Sequence, residues 1–106
     1  MTKKSYLKDN KDIIKGFTKA IQKSIDYTFK STNEELSKII AVYFSDTCKN
    51  DLTETIKRYR VTDSWDKTTC ITEEGFKRVQ DIMKNSNKLD EKVPYEKLVN
   101  NEYNKI

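Results

Sequence analysis

The sequence has no histidine, and it holds only two cysteines, two glycines and one proline in 106 residues. Without histidine, a Ser–His or Cys–His nucleophile pair cannot form, and the commonest general base is missing. Cys48 and Cys70 lack CxxC spacing, so we expect no zinc site and favour two small, partly buried thiols over a disulfide. Gly16 and Gly75 cannot build a phosphate loop. We therefore expect no enzyme, no catalytic residue, no metal and no cofactor.

Long apolar runs are also missing, and turn residues are few. No apolar run approaches the roughly eighteen residues of a membrane span, and Met1–Tyr6 lacks the apolar core of a signal peptide, which a fragment would not carry. Scarce glycine and proline disfavour a sandwich or barrel. With 35% hydrophobic and 36% charged residues, the chain fits either a small, highly solvated helical domain or a piece of a larger protein.

Helical patterns fill most of the chain, so we predict a mainly α fold. Apolar residues recur at i, i+3 and i+4, and Thr32 with Glu35 forms a capping box that begins the second helix. Thr72 is the predicted cap of the fourth, and an asparagine near Asn87 its left-handed end. The predicted helices lie near 9–30, 32–44, 50–60 and 72–85. An irregular tail over 88–106, with a short turn near 94–99, completes one helical unit spanning 1–106.

The positive charge belongs to the first helix. Residues 1–31 hold eight lysines against three aspartates, whereas the rest of the chain is nearly neutral. A lysine stripe of this kind can bind phosphates, which would make the chain a stand-alone helical module for nucleic acid or acidic lipid. We favour the solvated face of an amphipathic helix, because the stripe contains no arginine and no aromatic residue to hold a nucleotide.

The one tryptophan, Trp65, lies in a polar loop, Val61–Ile71, between the third and fourth helices. A tryptophan in such a loop can cover the core or serve as a platform for a ligand, because its ring has a large apolar face and one polar edge. The residues alone favour packing.

Several segments together resemble the C-terminal part of solute-binding proteins of ABC importers, of the nitrate, sulfonate, taurine and thiamine-precursor type. The matching segments are Tyr6–Phe17, Arg58–Tyr59 followed by Trp65, Ile71–Phe76 and Lys88–Val99. The chain departs from the family pattern where Lys11 replaces proline, Asn87 replaces glycine and Asn100 replaces aspartate. The order and spacing of the segments carry the resemblance, which covers nearly the whole chain.

The resemblance implies more than the composition does. Family members have two α/β lobes with the ligand between them, so this chain would be the all-α terminal fragment of a periplasmic-binding-protein-like fold. Its expected partners are a small organic solute and an ABC permease, not nucleic acid, and its expected ligand-binding residues are Trp65 and Tyr59. The parent would be extracytoplasmic, either a membrane-anchored lipoprotein or periplasmic. Apolar surface left uncovered by the missing lobes predicts a homo-oligomer.

Overall fold

The computed structural model describes residues 1–104, and its fold is mainly α, as predicted. Lys105 and Ile106, the end of the predicted tail, lie outside the described residues. Within 1–104 there are six α-helices and no strand. They are α1 (Lys4–Asp9), α2 (Lys11–Lys30), α3 (Asn33–Ile40), α4 (Lys49–Val61), α5 (Glu73–Asn85) and α6 (Tyr95–Leu98), with a 3-10 turn at Ala41–Tyr43 after α3. None of these helices is long and apolar enough to cross a membrane.

The first helical segment was not predicted. α1 is six residues long and has no side-chain cap, so it carries neither an apolar stripe nor a start signal. Asn10 ends it, because its backbone N–H and its Nδ2 both bond the Tyr6 carbonyl, at 2.9 and 3.2 Å. The same residue's carbonyl accepts from Ile14 at 3.1 Å and so begins α2. The helix predicted near 9–30 therefore starts one residue after Asn10.

The apolar run Ile39–Phe44 differs most from expectation. The helix predicted near 32–44 is shorter than expected, because α3 stops at Ile40 and gives way to the 3-10 turn. Val42 and Tyr43 are 76% and 80% exposed. Sequence alone could not show this. A continuous apolar run indicates that the segment needs packing partners, but not whether these 106 residues contain them.

The chain divides into two compact units. One comprises Met1–Thr18 and Thr69–Ile106, and the other is Lys19–Thr68. We refer to them as the terminal unit and the central unit. α2 contributes its first residues to the terminal unit and the remainder to the central one. The prediction that residues 1–106 fold as one unit stays a prediction.

The central unit is built around α3 packed on α4. Leu36 of α3 and Leu52 and Ile56 of α4 are between 3% and 7% exposed, and they are the only buried apolar side chains among residues 1–104. Ser37 is fully buried between the helices, where its hydroxyl accepts a bond of 3.0 Å from Thr53. A small side chain at this position lets the two helix backbones approach closely.

The caps predicted at Thr32, Thr72 and Asn87 are confirmed. Thr32 accepts from the Glu35 backbone N–H at 3.2 Å, and the Glu35 carboxylate accepts from the Thr32 N–H at 2.9 Å, which completes the capping box. Thr72 accepts from the Gly75 N–H at 3.1 Å. Asn87, with φ of 57°, lets the Lys88 N–H reach the Met83 carbonyl at 2.8 Å and ends α5 in a Schellman motif.

In the terminal unit, two side-chain amides bind the tail in the manner of a strand partner. Gln80 of α5 accepts from the Val93 N–H at 2.7 Å and donates to the Val93 carbonyl at 3.1 Å. Asn101 accepts from the Ile71 N–H at 3.0 Å and donates to the Ile71 carbonyl at 2.9 Å. We call these the amide clamps. The clamps give the predicted irregular tail partners within the unit.

Lys92 adds an ion pair with Asp81. The hydrogen bond from Lys92 holds the pKa of Asp81 below its ordinary value. A carboxyl whose pKa is lowered in the folded state stabilises the fold above its unfolded-state pKa, and that contribution is lost as the pH falls through the folded-state pKa. Both side chains are about two-fifths exposed, at 41% and 42%, so solvent screening keeps the contribution small.

Replacing Gln80 by alanine should release the tail. The Gln80→Ala variant leaves both Val93 backbone groups without their partner, so we expect the free energy of unfolding to fall by about 1–3 kcal/mol. The matched control is Lys77→Ala, an exposed position of the same helix, which should change it by less than about 0.5 kcal/mol. Urea unfolding and hydrogen exchange of the Val93 amide measure both effects. Equal Val93 exchange rates in the two variants would contradict the clamp.

Candidate functional site

The central unit contains an open apolar groove of about 670 Å³. α2, α3, α4 and the loop after α4 form its walls. Its apolar lining residues are Ile21, Ile25, Phe29, Leu36, Ile40, Phe44, Leu52, Ile56, Tyr59 and Trp65. The volume lies within the range of small-molecule sites, and the lining is mainly apolar. We call this cavity the apolar groove.

The structure brings the two predicted site residues, Tyr59 and Trp65, together. Their ring centroids are 5.7 Å apart and the ring planes are tilted by 37°. Trp65 is half-buried, and Tyr59 is 47% exposed. Both rings line the groove, so they are accessible from it. Their role in ligand binding stays a prediction.

A Schellman motif at the end of α4 explains why Trp65 returns to Tyr59. Asp63 takes a left-handed conformation with φ of 51°. The chain then reverses, and the Ser64 N–H bonds the Tyr59 carbonyl at 3.0 Å while the Asp63 N–H bonds the Arg60 carbonyl at 3.2 Å. The reversal directs the loop back along the last turn of α4, which carries Tyr59.

A second, smaller cavity shares the aromatic pair with the groove. It has a volume of about 250 Å³, and half of its six lining residues are charged. Its lining residues are Phe29, Tyr59, Arg60, Asp63, Trp65 and Lys67. Tyr59 and Trp65 are thus shared by two cavities of different chemistry. We call this cavity the charged pocket.

Arg60 joins α4 to the end of α2. Its Nη2 donates to the carbonyls of Thr28 at 2.8 Å and Ser31 at 2.7 Å, where the backbone acceptors of a helix end are otherwise unpaired. A cation there also meets the negative end of the helix dipole. The Arg60 Nε–H is buried and has no acceptor among residues 1–104.

The loop that carries Lys67 is tied to α2 by Gln22. The Gln22 amide is buried and donates to the Lys67 carbonyl at 3.0 Å. The Lys67 ammonium then lies 5.8 Å from the centroid of the Phe29 ring, within cation–π range. Three elements, α2, α4 and the loop, therefore fix the positions of the groups around the charged pocket.

Sequence reasoning did not find Arg60 or Lys67. It treated the arginines at the end of α4 as partners of the helix dipole only, and it gave Lys67 no role. One signal was present, because the chain has only three arginines among 21 basic residues, and Arg58 and Arg60 flank Tyr59. Guanidinium groups are suited to fixed, multiple hydrogen bonds, so their position beside a predicted site residue was informative.

No metal centre is evident in the part of the chain that the structure describes. Across residues 1–104 there is no group of three or more cysteine, aspartate or glutamate side chains placed to hold an ion. Cys48 lies exposed just before α4, and Cys70 is half-buried. The expectations of no cofactor and no catalytic residue stay predictions.

Replacing Arg60 by lysine should destabilise the central unit. The Arg60→Lys variant keeps the charge but loses the planar group that reaches both carbonyls, so we expect the free energy of unfolding to fall by about 1–3 kcal/mol. Arg58→Lys, at an exposed position of the same helix, is the matched control and should stay within about 0.5 kcal/mol. Urea unfolding followed by circular dichroism measures both. Equal stabilities would exclude the anchoring role.

Comparison with known proteins gives one informative similarity. The chain is similar to a protein of Bacillus subtilis (strain 168) named "Putative binding protein YtlA", with 33% identity over 102 residues. The aligned region covers 96% of this chain and 30% of that protein, so the chain spans less than a third of its relative's length. No family model and no solved structure matches the chain. This similarity supports the expectation of a binding protein. The more specific expectation, a solute-binding protein of an ABC importer, stays a prediction.

Proposed function

We propose that the chain is the C-terminal part of an extracytoplasmic solute-binding protein that delivers a small organic solute to an ABC importer. The observation that carries the proposal is the similarity of 96% of the chain to less than a third of a protein named a binding protein. The sequence motifs add the importer type and a solute of the sulfonate, nitrate, taurine or pyrimidine class. The parent is then a lipoprotein or periplasmic protein, without enzymatic activity and without nucleic acid as a partner.

The distribution of apolar residues supports a terminal segment of a larger protein. Only three apolar side chains are buried among residues 1–104, while large ones such as Phe17, Val42 and Ile82 are each at least 66% exposed. Apolar surface of this extent is unusual on a self-sufficient soluble domain, and it marks a contact surface. In the proposed protein, the remaining two-thirds of the polypeptide covers part of this surface, including the apolar groove.

The position of Tyr59 and Trp65 supports a binding role. Small-solute sites combine aromatic walls with a few placed polar groups. The two rings meet at 5.7 Å between an apolar groove and a charged pocket. They are thus accessible from a side that a lobe can cover and from a side that carries charge.

The genetic context tests the proposal directly. We expect the reading frame of the longest transcript to encode α/β lobes and a lipoprotein signal before these 106 residues, beside genes for a permease and an ATPase. Long-read sequencing of the locus and its transcripts provides the measurement. A reading frame with neither lobes nor importer genes would overturn the proposal. Salt-sensitive binding of the 106-residue chain to DNA or anionic vesicles would then favour the lysine stripe as its functional surface.

The uncovered groove should make the isolated chain self-associate. We expect a dimer or larger species in light scattering, because exposed apolar patches associate in water. Phe44→Lys places a charge in the groove and should shift the chain towards monomer. Thr47→Lys is the matched control, because Thr47 is exposed and polar and does not line the groove. A clean monomer of the unchanged chain at high concentration would contradict this expectation, and so would equal effects of the two substitutions.

A further inference from the structure

We propose that the charged pocket binds a small planar anion, namely a single aromatic ring that bears a carboxylate or sulfonate group. This inference deepens the proposed function by naming the class of solute and its place beside Trp65, and it rests on that function only for its biological setting. The pocket is lined by three aromatic rings, two cations and one carboxylate. Its chemistry differs from that of the apolar groove, which Trp65 also lines.

The rings define the shape of the ligand. Tyr59 and Trp65 form one wall, with ring centroids 5.7 Å apart, and Phe29 lines the same pocket. Aromatic side chains bind flat ligands by stacking and edge contacts, which a spherical anion cannot use. The volume of about 250 Å³ is below the range for drug-sized ligands but large enough for one substituted ring.

The two cations define its charge. Arg60 directs both of its Nη2 bonds to neutral carbonyls, and Lys67 faces the Phe29 ring. The ion pairs found among residues 1–104 are Arg78–Glu74 and Lys92–Asp81, so neither pocket cation has a carboxylate within bridging distance there. Asp63 lines the pocket as its single acidic group. The pocket thus carries one net positive charge, which a monoanionic ligand neutralises.

The pocket is preorganised, because hydrogen bonds fix each wall without a ligand. Arg60 is held by the end of α2, the loop of Lys67 is held by Gln22, and the Schellman motif sets the turn before Trp65. A site whose groups are already ordered loses little conformational entropy on binding. Lys67 is exposed and is the one cation free to move towards an entering anion.

Titration of the 106-residue chain with benzenesulfonate tests the inference. Trp65 is the only tryptophan, so its fluorescence reports binding beside it, and the Lys67 variants distinguish the charged pocket from the apolar groove. We expect saturable binding that is at least about fivefold tighter than that of neutral benzenesulfonamide, because only the anion uses the two cations. Methanesulfonate, which has the charge without the ring, should be weaker by a similar factor. Equal binding of either control compound overturns the inference, and so does the absence of binding up to about 10 mM, weaker than the usual range for substrates.

Substitution of Lys67 distinguishes binding in the charged pocket from nonspecific attraction of the anion to positive charge. Lys67→Gln should weaken benzenesulfonate binding at least about fivefold and leave benzenesulfonamide unchanged, whereas Lys67→Arg should stay within about twofold of the original chain. Lys57→Gln, an exposed lysine of α4 outside the pocket, is the matched control and should also stay within about twofold. Arg60 is left unchanged, because its removal would loosen α2. Equal affinities of Lys67→Gln and Lys57→Gln overturn the inference.

The two proposals fail in different experiments. A locus that lacks lobes and importer genes overturns the proposed function, but it leaves a measured preference for aromatic anions intact. A chain that does not bind benzenesulfonate overturns the inference, but this result does not bear on the reading frame and the neighbouring genes that test the proposed function. Circular dichroism of the Lys67 variants checks that a lost signal comes from lost binding and not from unfolding.

Discussion

The packing of α3 on α4 is the contact on which the central unit depends. Leu36, Leu52 and Ile56 supply its apolar part, and fully buried Ser37 sets how closely the helices approach. Three buried side chains are a small core for fifty residues, since each contributes about 1.5–3 kcal/mol at most. The loop after α4 is therefore ordered largely by polar contacts, such as the bond from Gln22 to the Lys67 carbonyl, while the Arg60 guanidinium ties α4 to the end of α2.

Because few side chains of the central unit are buried, Trp65 is left at the border of two cavities. Because the loop is tied by hydrogen bonds and is not buried in a core, the aromatic pair lines both cavities. The apolar groove resembles a hydrophobic core that is open to solvent, and the charged pocket resembles a small anion-binding site. A segment of a larger binding protein needs both kinds of surface, one to join the remaining polypeptide and one to meet the solute.

Local signals in the sequence predicted the helices well, but they did not predict the tertiary contacts. The hydroxyl caps at Thr32 and Thr72 and the left-handed Asn87 depend on neighbours within a few residues, so their pattern is visible in one dimension. The bonds of Gln80 and Arg60 join residues 13 to 32 positions apart, and a polar side chain carries no mark of its distant partner. The resemblance to binding proteins drew attention to Tyr59 and Trp65, but it could not show that charge lies beside them.

The amide clamps of the terminal unit have a chemical consequence. Gln80 and Asn101 each need one acceptor atom and one donor atom at the same carbon. Hydrolysis of the amide with loss of ammonia leaves a carboxylate, whose second oxygen would face the carbonyl of Val93 or Ile71 and repel it. Asparagine and glutamine are thermolabile because they lose ammonia in this way. Deamidation at either position would release the tail from its partner without any change in the gene.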